Sequence, residues 1–409
     1  MTHNRSLPDE QPCPTWLVVV TGILALAAAM GIGRFAFTPL LPLMLRDGSV
    51  GAPAGAAWAA ANYVGYLVGA ATARWLGANP AGGLRWSLVG VALTTLALGS
   101  NAALPVGLVL RATAGVFSAW ALICASSIIL AELARRKASH LGAWIYTGVG
   151  FGIALSGTLA WLGGWQPAHW LWLELGIVAT AAAVVVVMGL RRLERALPPP
   201  APPTTIAGQG RNPFSLVLCY GVSGFGYIVP ATFLPVMARQ QVSNPLVFGL
   251  AWPLFGLAAT VSVAVSARWL SGWPRRRVWA LAQAVMALGT ALPVATEALW
   301  AVGASAVLVG GTFMVATMAG LQLAREARPS DPTPLLARMT MAFAAGQIVG
   351  PLLVRLFGPG LRGGWDSITC ANAAATALLA LTAAWLWRGI EPPRSPRTPH
   401  EAHASHPPG

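Results

Sequence analysis

Long apolar runs constrain the fold of this chain more than any other feature of its sequence. Most of them match the roughly 20 residues that an α-helix needs to cross a bilayer. Twelve can be traced between clusters of charge, proline or glycine: 16–45, 55–76, 86–103, 105–131, 140–163, 168–190, 214–238, 246–270, 278–295, 298–323, 336–357 and 367–388. Charged residues make up only 9% of the 409 residues, too few to cover a soluble protein of this size. The sequence therefore predicts an all-α integral membrane protein with twelve transmembrane helices.

The first run, 16–45, is longer than one straight crossing, and we expect Pro39 and Pro42 to end or kink its helix. It is also much longer than the roughly 7–15 apolar residues of a secretory signal. Asp9 and Glu10 precede it where a signal would carry positive charge. We therefore expect it to be retained as the first span.

A proline-rich break divides the chain near its middle. The segment 198–203 contains five prolines, a composition typical of a semi-rigid linker. The predicted organisation has five parts: a cytoplasmic N-terminal segment (1–15), an N-terminal six-helix bundle (16–190), a cytoplasmic linker (191–213), a C-terminal six-helix bundle (214–388) and a disordered cytoplasmic tail (389–409).

The net charge of +14 could indicate a nucleic-acid-binding protein. The basic residues are, however, scattered between apolar runs, which argues against nucleic acid as a partner. If both termini lie on one side, twenty of the 26 basic residues lie on that side, and the opposite side holds only Arg46, Arg239, Arg355 and Arg362. Because basic residues concentrate on the cytoplasmic side, we expect both termini in the cytoplasm of a bacterium, with the spans in its inner membrane.

Two adjacent spans of the first half are repeated in the second. At an offset of 193, Gly31, Gly33, Leu41, Pro42 and Met44 match Gly224, Gly226, Leu234, Pro235 and Met237. At an offset of 194, Trp58 matches Trp252, and 73–76 matches 267–270. Six spans separate the copies, so both have the same orientation. This pattern predicts two parallel six-helix repeats with a substrate site between them near mid-membrane.

The repeat and the stretches 31–44 and 220–239 carry a family resemblance. Over nearly its whole length the chain resembles the major facilitator superfamily, and the two stretches look like those of the YbfB/YjiJ group of bacterial transporters. The resemblance implies the major facilitator fold and secondary transport, and it names no substrate.

Superfamily motifs can be compared with this sequence position by position. The loop after the second span keeps glycine and Arg85 but lacks the acidic residue of the motif, and we expect Arg74, Arg85 and Arg268 at the cytoplasmic gate. The arginine of the fourth-span motif corresponds to Arg111.

The fifth span resembles a motif associated with antiporters, which favours export. Gly148, Gly152 and Gly157 match three of its five positions, and its proline is missing. Small residues let helices approach closely. We expect these glycines to contribute to packing and gating, together with Gly31, Gly33, Gly224, Gly226, Pro42 and Pro235.

Three charged residues lie inside predicted spans: Arg34, Arg111 and Glu174. A charge at bilayer depth costs about 2.5–3.5 kcal/mol on insertion scales, so its presence needs a reason. We expect the arginines to hold an anionic group or to govern proton movement, and Glu174 to load and release a proton. The structural alternative pairs Glu174 with an arginine or turns it outward.

Polar side chains within the spans are a second group of candidates. In the repeat, Tyr227 occupies the position of Arg34, so the two halves would present different groups to an asymmetric substrate. Tyr66, Tyr146, Asn62 and Gln347 could also face the pathway, although hydrogen bonding between helices explains such residues equally well.

The sequence carries no motif that would power transport by ATP and none of the usual catalytic constellations. We therefore expect no enzyme activity, no metal and no cofactor, and we expect a monomer in the bilayer. The predicted function is alternating access driven by protons, with export of a small organic solute by antiport as the first hypothesis. Uptake of a small organic anion by proton symport is the alternative.

Overall fold

The computed structural model describes residues 14–100, 103–195, 214–241, 245–296, 298–329, 331–357 and 365–389. The predicted N-terminal segment (except its last residues), most of the linker and almost all of the tail lie outside these ranges. Within them, Arg191 and Arg192 belong to a helix, so that helix continues into the segment predicted as linker.

Seven α-helices lie in the described part of the first half. They are α1 (Thr15–Leu26), α2 (Phe37–Arg46), α3 (Ala52–Thr72), α4 (Pro80–Leu98), α5 (Leu104–Arg135), α6 (Thr147–Leu162) and α7 (Ala168–Arg195). A π-helical turn, Ala27–Ile32, follows α1, and a 3-10 helix, Ser139–Tyr146, precedes α6. The segment Thr15–Arg46 forms one membrane span, which we call the first span.

In the described residues, the second half contains six α-helices. They are α8 (Phe214–Gln241), α9 (Pro245–Trp269), α10 (Arg275–Ala295), α11 (Leu299–Ala327), α12 (Thr333–Phe357) and α13 (Ser367–Arg388).

The described residues contain eleven segments long and apolar enough to cross a membrane, and α3 takes the position of the remaining predicted span. Its 21 residues are long enough for a crossing. It is less apolar than the others because alanine and glycine dominate it and because it carries Asn62, Tyr63 and Tyr66. The all-α fold with twelve spans is therefore confirmed.

Two predicted boundaries are corrected. The third span begins at Pro80 instead of residue 86, because Asn79 caps α4 by accepting a hydrogen bond from the Gly82 N–H at 2.8 Å. The interruption of the first span lies in residues 27–36, before Pro39 and Pro42. Pro39 falls in the first turn of α2, where a proline costs little.

Helix packing follows the same plan in both halves. In the first half, α3 packs on α5, α4 packs on α7 and the first span packs on α6. In the second half, α9 packs on α11, α10 packs on α13 and α8 packs on α12. In each half, the second span packs on the fourth, the third on the sixth and the first on the fifth. The parallel repeat predicts this agreement. The halves meet where α6 packs on α9 and α3 packs on α12.

Glycines lie where helices approach closely within each half. A Cβ atom on Gly31 would collide with the backbone of Gly152 on α6, and one on Gly224 would collide with the carbonyl of Phe343 on α12. Gly31 and Gly224 are partners in the sequence repeat, so the repeat preserves this contact.

Candidate functional site

Arg34 lies where the first span is interrupted. The π-helical turn is held by i to i−5 hydrogen bonds, among them Gly33 N to Ala28 O at 2.9 Å and Phe35 N to Met30 O at 3.1 Å. A helical turn with five-residue bonds disturbs the regular ladder, and such turns are frequent at functional sites. The Arg34 side chain that leaves this turn is buried, with 3% of its surface exposed.

A hydrogen-bonded chain links Arg34 to the second half. Arg34 Nη2 donates to Gln347 Oε1 on α12, and Gln347 Nε2 donates to the Tyr227 hydroxyl on α8. The guanidinium also stacks over the Tyr66 ring of α3, with Cζ 3.5 Å from the ring centroid. We call Arg34, Gln347, Tyr227 and Tyr66 the central bridge. All four were candidates from the sequence, and the structure brings them together between the halves.

The charge of Arg34 has no carboxylate partner among the described residues. The ion pairs in the described part of the chain are Arg46–Asp47, Arg85–Glu194, Arg135–Glu132, Arg136–Glu132 and Arg275–Glu326. Arg34 Nε and Nη1 are buried and make no hydrogen bond within the described residues. Buried N–H donors normally find an acceptor, so these two nitrogens are an exception within the described part of the chain.

Aromatic rings of the second half surround the phenol end of the central bridge. The Tyr227 ring stacks on Phe313 at 5.1 Å and on Phe343 at 5.4 Å between centroids. The stack extends from Phe313 to Phe255 at 5.3 Å and on to Trp252 at 5.2 Å. Sequence reasoning missed the phenylalanines, because a phenylalanine within an apolar span gives no signal that separates it from packing.

Arg111 supports the interruption of the first span. Its Nη1 and Nη2 atoms donate to the carbonyl oxygens of Gly33 and Arg34, each at 3.2 Å. Its Cζ atom lies 4.5 Å from the centre of the Phe37 ring. Asn62 Nδ2 in turn donates to the carbonyl of Arg111 at 3.0 Å. This geometry favours a role in positioning Arg34 over the predicted role as a second lining charge.

Glu174 and Tyr146 are not brought to the central bridge by the described contacts. Glu174 is half-buried near the start of α7 and accepts a hydrogen bond from Gln166 Nε2 at 3.1 Å. The Tyr146 hydroxyl lies 3.0 Å from Ser126 Oγ. Of the two structural alternatives for Glu174, a side chain turned away from the bundle interior describes its position better than an ion pair with a buried arginine.

The three predicted gate arginines lie in different environments. Arg85 pairs with Glu194 and ties α4 to α7 within the first half, so this contact does not span the two halves. Arg74 is exposed beside the Trp75 ring at 5.7 Å, and Arg268 is exposed at the end of α9.

The predicted packing glycines lie at close helix contacts. A Cβ atom would meet the Ile23 carbonyl at Gly148, the Ala27 carbonyl at Gly152, Pro253 of the other half at Gly157, Val91 at Gly33 and Leu379 at Gly226. Pro42 lies inside α2. Pro235 lies within the bounds of α8, and its side chain is outside the described part of the structure.

An ionic cluster holds the end of the first half opposite the Arg85–Glu194 pair. Asp47 accepts a hydrogen bond from the Ala168 N–H at 2.6 Å, in the first turn of α7, and pairs with Arg46 at 2.7 Å. Burial alone would raise the pKa of Asp47, but the hydrogen bonds from Ala168 and Arg46 and the nearby positive charges outweigh it. The pKa therefore lies below its usual value.

Comparisons with known proteins agree with this architecture. A family model described as "Uncharacterised MFS-type transporter YbfB" matches residues 26–385. Among solved structures, the chain is similar to the human organic anion transporter MFSD10 (TETRAN), with a TM-score of 0.71 and 15% sequence identity over 92% of this chain and 100% of that one. At that identity the likeness concerns the fold. Curated protein sequences gave no match.

Proposed function

The chain belongs to the YbfB-like family of major facilitator transporters, and from this premise we propose that its solute is a small organic anion. Membership of the family makes the chain a multi-pass membrane protein that carries a solute by secondary transport. The observation that supports an anion is Arg34, a buried cation between the halves. Within the described residues its Nε and Nη1 atoms make no hydrogen bond and it has no carboxylate partner.

Energetics favour an anionic ligand at this position. A buried charge is strongly unfavourable unless it is paired and hydrogen-bonded. Among the described residues, the Arg34 guanidinium donates to the Gln347 amide and otherwise contacts aromatic rings, of which Tyr66 is the nearest. Arginine presents parallel N–H donors that match a carboxylate or phosphate in a two-point contact. A ligand with such a group would engage Nη2, which now donates to Gln347, together with Nε or Nη1, which have no acceptor among the described residues. The solved structure of similar fold is itself described as an organic anion transporter.

The body of the ligand would contact the aromatic stack. Tyr227, Phe313, Phe343 and Phe255 present ring faces and edges beside the charged end of the site. Binding sites combine mainly apolar walls with a few placed polar groups. We therefore propose a ligand with an acidic group at Arg34 and an apolar or planar body against these rings.

Alternating access follows from the position of the central bridge. Arg34 belongs to one half, and Gln347 and Tyr227 belong to the other. An anion that binds Arg34 competes with the Gln347 oxygen, so its arrival weakens the link that joins the halves. We propose that this exchange of partners couples binding to the rocking motion between parallel repeats.

The charge of the ligand bears on energy coupling. In the predicted orientation in a bacterial inner membrane, an anion enters against an inside-negative potential, at about 2.3 kcal/mol per charge for each 100 mV. Proton symport offsets this cost, so the anion site favours proton-coupled uptake. Export by proton antiport is the second candidate, supported by the glycine pattern at Gly148, Gly152 and Gly157.

Proteoliposomes with an imposed pH gradient test the proposal. A panel of small organic acids is added outside, and uptake and external pH are followed together. Symport predicts that an acid outside raises external pH and that an acidic exterior accelerates uptake. Antiport predicts uptake driven by an acidic interior. Rates unaffected by a pH gradient of either sign would contradict proton coupling. Arg192→Gln, an exposed charge on α7, is the matched control for Arg34→Gln.

A further inference from the structure

The second half carries an open groove on its lipid-facing side, away from the central bridge. Helices α9 and α10 form its walls and α11 forms its floor, and its volume is about 440 Å³. The lining residues Val261, Leu281 and Val307 have 51%, 41% and 50% of their surfaces exposed, so the groove opens outward.

The groove has the length and chemistry of a lipid tail. Its lining runs from Ala258, within α9, to Leu270, the residue after the end of α9, which corresponds to about 18 Å at the helical rise. That is close to the depth of one leaflet, roughly half of the 30 Å hydrocarbon core. Its lining is almost entirely apolar, as an acyl chain requires.

Two exposed arginines stand at one end of the groove. Arg268 follows the lining residues Val261 and Val265 on the same face of α9, because positions separated by three, four or seven residues share a helix face. By the same spacing, Arg277 precedes Leu281 on α10. Both side chains are exposed, and the Arg277 guanidinium lies 5.8 Å from the centre of the Trp387 ring on α13. Arg275, by contrast, pairs with Glu326, and Arg276 donates to the Leu386 carbonyl at 2.9 Å.

Tryptophans mark this end of the groove as the level of the lipid headgroups. Trp269 and Trp273, in and beside the loop that joins α9 to α10, are 69% and 44% exposed. Exposed tryptophans concentrate at the membrane–water interface. An arginine at that level can contact a phosphate while the adjoining groove holds the tail of the same lipid.

The corresponding region of the first half is filled. Between α4 and α5, the Phe117 ring lies directly against Gly90. Trp120 packs edge-on against Phe117 at 5.7 Å and donates to Thr72 Oγ1 of α3 at 2.9 Å. In the second half, a Cβ atom on Gly311 would reach its nearest neighbours, on Ala258 and Ser262, only at 3.8 Å. The groove is therefore a feature of one repeat and does not follow from the shared packing plan.

We propose that this groove binds an anionic phospholipid, with one acyl chain between α9 and α10 and the phosphate held by Arg268 and Arg277. The proposal rests on the shape of the groove and the charge beside it, and it is independent of the transported solute. The lipid would brace α9, which also packs against α6 of the first half.

Thermal unfolding of the purified full chain in detergent tests the site. Dioleoyl phosphatidylglycerol and dioleoyl phosphatidylcholine are added at equal concentration, so that only the headgroup charge differs. We expect phosphatidylglycerol to raise the unfolding midpoint by several degrees more than phosphatidylcholine. Arg268→Gln/Arg277→Gln should lose more than half of this difference, and Arg191→Gln/Arg192→Gln, which removes the same charge from α7, should keep it.

A second variant tests the groove itself. Gly311→Phe places a ring where the acyl chain would lie and should also reduce the response to phosphatidylglycerol. If wild type responds equally to both lipids, the proposal is wrong. It is equally contradicted if either the Arg268/Arg277 double variant or Gly311→Phe keeps the full preference for phosphatidylglycerol.

Discussion

The first span and α8 start from the same glycine pattern and end in different chemistry. Gly31 presses on α6 and Gly224 presses on α12, so both copies pack against the fifth span of their own half. Three residues later, the first span carries the cation Arg34 and α8 carries the phenol Tyr227. The two copies therefore share their packing, while the groups at the centre differ.

The two spans also differ in their backbones. The first span is interrupted between α1 and α2, whereas α8 is assigned as one helix. The interruption frees the carbonyls of Gly33 and Arg34, and Arg111 donates to both. The interrupted first span, with its free carbonyls bound by Arg111, therefore places the cation of Arg34 opposite the amide and aromatic groups of the other half.

The largest effect is expected from Arg34→Gln. If Arg34 is the anion-binding group, this change abolishes transport. Removal of a buried and incompletely paired charge should leave the unfolding midpoint unchanged or raise it, because the desolvation cost of the charge disappears. Reconstituted transport and thermal unfolding of the same preparation check both outcomes. If Arg34→Gln transported at the wild-type rate, Arg34 would not be the group that binds the anion, and the proposed difference between the halves would be wrong.

Arg111→Gln separates the two buried arginines. Loss of the donors to Gly33 and Arg34 leaves buried carbonyls unsatisfied, at about 1–3 kcal/mol each. We therefore expect a lower unfolding midpoint together with reduced transport, in contrast to Arg34→Gln. Equal stability of the two variants would argue that Arg111 does not brace the interruption.

Alanine at the repeated glycines tests whether the packing is truly shared. In Gly31→Ala and Gly224→Ala the new methyl group meets backbone atoms of the adjacent helix, and we expect each variant to lose about 1–3 kcal/mol. Gly303, in α11, has open space around a Cβ atom, so Gly303→Ala should be neutral or stabilising. Denaturation of the three variants in one detergent provides the measurement. If only one of Gly31→Ala and Gly224→Ala lost stability, the two glycine contacts would not be equivalent.

Tyr227→Phe should have a smaller effect on transport. It removes the acceptor of the Gln347 amide and keeps the ring in its stack on Phe313. The loss of one hydrogen bond, about 1 kcal/mol, predicts a several-fold change in apparent affinity with the maximal rate largely kept. Initial rates over a range of substrate concentrations check this. Complete loss of transport in Tyr227→Phe would contradict this and would show that the Tyr227 hydroxyl is as necessary for transport as Arg34.

The smallest effect concerns Asp47, at one end of the first half. Since its pKa lies below the usual value in the folded protein, the carboxylate contributes stability at neutral pH that is lost as pH falls through the folded pKa. Asp47→Asn should lower the unfolding midpoint by a few degrees at pH 7, and the gap to wild type should narrow in acid. A gap independent of pH would contradict the role of the charge.

Lipid dimensions explain why the sequence predicts so much of the fold. A span must be apolar over a fixed length, so the order of the helices follows from the apolar runs. The repeat identifies Arg34 and Tyr227 as a pair. The interruption of the first span is hidden from sequence, because Ala27-Ala28-Ala29 has a high intrinsic helix propensity and Pro39 points to a later break. Gln347 could be nominated, but its contact with Arg34 joins residues 313 positions apart and requires the tertiary structure.

The central claim is that Arg34 binds an anion between the halves. The most direct measurement is a thermal-shift screen of the purified protein with small carboxylic acids, each paired with its primary amide. The account predicts stabilisation by acids and not by their amides, and loss of that stabilisation in Arg34→Gln but not in Arg192→Gln. Stabilisation by amides to the same extent, or by acids in Arg34→Gln, would contradict it.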